Sequence, residues 1–110
     1  MTDAEITKKL IEIMDAKHCQ QYFWLFPSGE VIHKSKWKPL SNISDAWMVV
    51  ERMREKGWDA FFLRYLDGWR SSFIHKEVHG NEKIHYGKDN NSPCRAICLA
   101  SLAAKEGNDG

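Results

Sequence analysis

The sequence predicts an α+β domain, with an antiparallel sheet of about four strands sandwiched between helical layers. Two observations carry that prediction. Segments with apolar residues at helical steps of three and four open on capping residues at Thr2, Asn42 and Ser92. Between them lie short aromatic runs separated by Pro27-Ser28-Gly29, Asp67-Gly68 and Gly80-Asn81, and turns this tight force antiparallel neighbours. The order is helix, hairpin, helix, strands, helix. There is no internal repeat, low-complexity segment or domain boundary, so residues 1–110 read as a single domain.

Each element has a local reason. Thr2-Asp3-Ala4-Glu5 has the form of a capping box, and Ile6, Leu10 and Met14 follow as a stripe flanked by Ile11 and Ile13, which predicts a helix over residues 3–17. "QYFWLF" at 21–26 reads as a strand stopped by the Pro-Ser-Gly turn, and "EVIHK" at 30–34 as its hairpin return. "NISDAWMVVERMREKG" at 42–57 is a helix capped by Asn42, with Asp45 in its first turn and Gly57 just past its end. Ile43, Ala46, Trp47, Val50 and Met53 fall on one of its faces, so Trp47, at mid-stripe, is expected to be buried. Glu51, Arg52, Arg54, Glu55 and Lys56 mix signs at neighbouring positions, as a solvated face does and a phosphate grip does not.

"DAFFLRYL" at 59–66, "WRSSFIHKEV" at 69–78 and "EKIHYGK" at 82–88 read as three strands. The middle one alternates, with Trp69, Ser71, Phe73 and His75 opposite Arg70, Ser72, Ile74 and Lys76. Ser92 and Pro93 then start a last helix, "CRAICLASLAAK", apolar on nearly all sides and therefore expected to be largely covered. Residues 105–110 read as a frayed tail.

Composition excludes several classes. Hydrophobic residues make up 43% and charged residues 28%, as in a soluble globular domain. A formal net charge of +1 supplies no field to draw nucleic acid or anionic lipid. No apolar run is long enough to span a membrane, and the N-terminus lacks the basic and apolar regions of a secretory signal. Three cysteines, an odd number, fit free thiols in a reducing cytoplasm.

"WKPLSNISDAWMVVERMREKG" at 37–57 and "YGKDNNSPCRAICLASLAAKE" at 86–106 resemble the phage ABA sandwich domain, a family of small bacteriophage and prophage proteins. Trp37, Pro39, Ile43, Ala46, Trp47, Val49, Val50, Glu51 and Met53 carry the first part of the resemblance; Pro93, Ala96, Ile97, Cys98, Ala100 and Leu102 carry the second. It covers residues 22–106 and implies an antiparallel sheet between helical layers, a phage origin and hence the cytoplasm of a bacterial host. It carries no activity over.

Three constellations bear on chemistry. His75, His79, His85, Cys94 and Cys98 are zinc-ligand types, but their spacing matches no finger or ribbon, so buried thiols and surface histidines are the expectation. "HKSKWK" at 33–38 interleaves Lys34, Lys36 and Lys38 with Trp37, a pattern that can grip a phosphate backbone while stacking a base, with Arg70 and Lys76 in support. Glu30 and Glu77 oppose that patch, and a solvated loop whose Trp37 plugs the core edge is the favoured reading. Cys19 adjoins His18, yet adjacent residues point apart, and no nucleophile elbow, phosphate loop, dinucleotide fingerprint or H-E-x-x-H occurs. No catalytic residue, metal ligand or cofactor is therefore assigned. The expectation is a non-catalytic accessory protein that binds or sequesters a partner: a host protein, a small ligand or itself. A weak nucleic-acid-binding module is the first alternative, and a metal- or cysteine-dependent enzyme the second.

Overall fold

A computed structural model of the chain describes residues 2–65, 68–75, 84–89 and 92–106. Thr2 caps helix α1, Asp3–Met14, by accepting the Glu5 N–H on its side-chain oxygen at 3.2 Å. The helix stops short of residue 17 because Asp15 turns left-handed at φ 55°, and its N–H and that of Ala16 close on the Glu12 and Ile11 carbonyls. Asp is one of the few side chains that tolerates this conformation. Asn42 caps α2, Ile43–Glu55, through Asp45 N–H at 3.2 Å, and Gly57 ends it at φ 98°. Ser92 caps α3, Pro93–Glu106, through Arg95 N–H at 3.1 Å.

The strands are β1, Lys17–Cys19; β2, Phe23–Leu25; β3, Val31–His33; β4, Trp58–Tyr65; β5, Gly68–His75; and β6, Ile84–Asp89. The protein is α+β, as expected, but its described strands divide into two antiparallel sheets of three, β1-β2-β3 and β4-β5-β6. The split has a simple cause. The sequence-predicted hairpin gains β1, a Lys-His-Cys segment with no apolar alternation, and closes as a small sheet of its own. The expected turns at Asp67 and Gly80-Asn81, and the end of the predicted strand at 76–78, lie outside the described residues.

Helix α3 lies across β5 and β6 and is in turn packed by α1 and α2. Small residues make that approach possible. A Cβ on Gly87 would meet the Ala100 nitrogen at 2.5 Å and the Ala96 oxygen at 2.6 Å, so only glycine fits under the helix. The core collects Ile6, Leu10, Trp37, Val49, Val50, Phe73 and Cys98, all within 2% of full burial. Arg95–Asp3 at 2.6 Å, Lys9–Glu106 at 2.7 Å and Lys105–Glu12 tie α3 to α1 along its length. As expected, α3 is largely covered, and Trp37 plugs the core beside Phe26, with ring centroids 5.6 Å apart.

One expectation fails. The covered face of α2 is Ala46, Val49, Val50 and Met53, while Trp47 is 44% exposed and Ile43 54% exposed. The stripe is turned so that Val49 enters and Trp47 leaves. α2 packs on α3 through that face, and Trp47 stands at the rim of the contact, where it lines a pocket with Pro93, Ala96 and Ile97.

Candidate functional site

The basic loop at 33–38, with Arg70 and Lys76, is the candidate the sequence offers, and its described residues stand at the end of β3, on the loop after it and on β5. Lys34 sits over the Trp24 ring, 4.5 Å from its centroid, and donates to His18 Nδ1 at 2.7 Å. Lys36 and Lys38 are exposed, and the Lys38 N–H donates to the Asp45 carboxylate at 2.8 Å, which fastens the loop to the start of α2. Trp37, the ring meant to stack a base, is 2% exposed. Arg70 stands on β5, in the wall of an apolar pocket. Lys76 lies outside the described residues. The lysines and Arg70 thus sit on separate elements, and the loop offers no free indole.

The small sheet carries a second aromatic cluster. His33 stacks against Tyr22 at 6.2 Å, meets Phe23 edge-on at 5.1 Å, and accepts from the Ser35 N–H at 3.1 Å. The Ser35 hydroxyl is 2.7 Å from the same nitrogen. Both contacts lie within one tight, exposed turn, which makes them turn chemistry rather than a nucleophile poised for attack.

The thiols of α3 are chemically quiet. Cys94 and Cys98 are buried, and Cys98 Sγ donates to the Pro39 carbonyl at 3.4 Å. Burial pushes the Cys98 thiol up to about 12 and raises the Cys94 thiol as well. A thiol so raised is neither a ready nucleophile nor a ready ligand. Among the described residues, no group of three His, Cys, Asp or Glu side chains gathers as metal ligands do.

What the structure adds is the outer edge of α2. Trp47 forms a ridge between two concavities. On one side, Ile43, Trp47, Trp69, Pro93 and Ile97 line an apolar pocket of about 260 Å³. On the other, a groove of about 340 Å³ runs between α2 and the β2–β3 turn, with Met14, Phe26 and Met48 along it and Glu30, Glu51 and Glu55 at its margins. Arg52 crosses its end and bonds to Asp15, which also takes Lys56 at 3.2 Å. The Arg52 hydrogen bond, opposed by slight burial and helped by Lys56, holds the Asp15 carboxyl below its usual range. The sequence carried one signal for this edge: apolar residues from Ile43 to Met53 cover more arc than a helix of this size can bury on one side.

Comparison with known proteins gives one positive result. The model of the phage ABA sandwich domain matches residues 8–102. No curated protein and no solved structure matches the chain.

Proposed function

The chain belongs to the phage ABA sandwich domain family, and from that premise we propose that this phage-associated protein is a non-catalytic binding module whose working surface is the outer edge of α2. The observation that carries the reading is Trp47, 44% exposed on a capped helix with a concavity on each side. Tryptophan is a preferred interface anchor because it offers a large, stiff, partly polar surface. The surrounding scaffold is well suited to present it: α2 is capped, its inner face is buried, and Asp15 holds its C-terminal end against α1. Buried free thiols fit a reducing compartment, the cytoplasm of a bacterial host.

The test is capture from host lysate with the wild-type chain and with Trp47→Ala in parallel. Bound protein or small molecule should be lost with Trp47→Ala while the melting transition stays in place. Retention of the same partners by Trp47→Ala would place the working surface elsewhere. A weak nucleic-acid contact through the Lys34–Trp24–His18 cluster is a second reading, favoured by that one cation-over-ring geometry. It predicts affinity no better than about 10⁻⁴–10⁻⁶ M at physiological salt, weakened by alanine at Lys34, Lys36 and Lys38 together.

A further inference from the structure

We infer that the groove between α2 and the β2–β3 turn receives a basic, amphipathic helical segment of a partner protein; the inference rests on the α2 edge being the working surface. Ser44, Trp47, Met48, Glu51, Arg52 and Glu55 all line this groove, and they are the i, i+3, i+4, i+7, i+8, i+11 stripe of one helix. The stripe runs for about 16 Å at ~1.5 Å per residue, the length of three turns of a second helix. Its apolar part is Trp47, Met48, Met14 and Phe26. Methionines adapt their shape to an incoming side chain, as grooves that take amphipathic helices require.

The charge of the rim selects the partner. Glu30, Glu51 and Glu55 face one guanidinium, Arg52, which bonds to Asp15 and also reaches Glu55 at 3.8 Å, an exposed and therefore weak pair. Glu51 also meets Arg54 at 3.3 Å, but both side chains are half exposed and such a pair is weak. With Asp15 counted, four carboxylates meet the three cations Arg52, Arg54 and Lys56, which leaves the groove a local excess of one carboxylate on a chain whose formal charge is +1. A cationic partner is drawn to this face and not to the molecule as a whole. Recognition by strand addition is the poorer fit, because the groove is walled by side chains and a turn rather than by an open strand edge.

The probe is a labelled helical peptide of leucine and lysine, compared with its counterpart carrying glutamate for lysine, by fluorescence anisotropy at low and physiological salt. The lysine peptide should bind and weaken with salt, and the glutamate peptide should not bind. Reversing the rim with Glu51→Lys and Glu55→Lys, both exposed and so tolerated by the fold, should cut lysine-peptide affinity about tenfold or more and admit the glutamate peptide. Trp47→Ala should weaken the lysine peptide while leaving its salt dependence intact. No binding of the lysine peptide, equal binding of both peptides, or indifference to rim reversal would overturn the inference. So would self-association of the chain abolished by Trp47→Ala, which would make a second copy the occupant. If the peptide fails but lysate capture still depends on Trp47, the assigned partner chemistry is wrong and the α2 edge remains the working surface.

Discussion

Trp37 and Trp47 lie ten residues apart and in opposite surroundings. Trp37 comes from an irregular loop and is 2% exposed against Phe26, while Trp47 comes from the middle of a capped helix and is 44% exposed. Regular structure does not decide burial; the neighbour does. The loop holding Trp37 runs over the core, with Pro39 buried and its carbonyl accepting from Cys98. The helix holding Trp47 turns its small residues Ala46, Val49 and Val50 inward. One ring supports the core, and the other stands partly exposed on the outer edge of α2.

The largest effect that can break this comparison is truncation of each ring. Trp37→Ala should cost about 3–5 kcal/mol in denaturant melting, the usual range for a buried aromatic. Trp47→Ala should cost about 1 kcal/mol or less, as surface changes do. Equal costs would mean that Trp47 is structural after all.

How much of this was legible follows from where each determinant lies. Helix starts at Thr2, Asn42 and Ser92 were readable because a cap is a contact within one turn of chain. The covering of α3 was readable because it is apolar nearly all round. The exposure of Trp47 was not, because periodicity defines an arc of apolar residues while the choice of which edge is covered belongs to the packing partner. The strand β1 was hidden for a related reason: Lys-His-Cys pairs through its backbone with β2, and its side chains leave no pattern. The placing of Trp37 was legible from the basic loop, since a ring among lysines parts from them between core and solvent, as the favoured reading has it.

An intermediate effect sharpens the enclosed side of the comparison. Gly87→Ala places a methyl 2.5–2.6 Å from the backbone of α3, and backbone cannot swing aside as a side-chain tip can. The expected cost is about 1–3 kcal/mol, the range for overpacking. A neutral Gly87→Ala in the same melting assay would show that α3 rides on the sheet with slack.

The smallest effect belongs to the exposed side, where Asp15 holds Arg52 and Lys56 at the end of the groove. The folded-state Asp15 carboxyl lies below its ordinary value of 3.8. A group depressed on folding contributes stability above its unfolded value, and the contribution is lost as pH falls through the folded one. The Asp15 side chain is 50% exposed, so water and salt screen the pair and the contribution should stay within about 1 kcal/mol. Asp15→Asn isolates the charge, because Asn also tolerates the left-handed conformation that ends α1 at φ 55°. Melting both proteins from neutral pH to below 3.8 should show wild type slightly more stable at neutral pH, with the gap closing as the carboxyl protonates and shrinking in high salt. A gap that persists unchanged at acid pH would assign Asp15 to capping the helix alone, and would leave Arg52 held in the groove by its packing rather than by its charge.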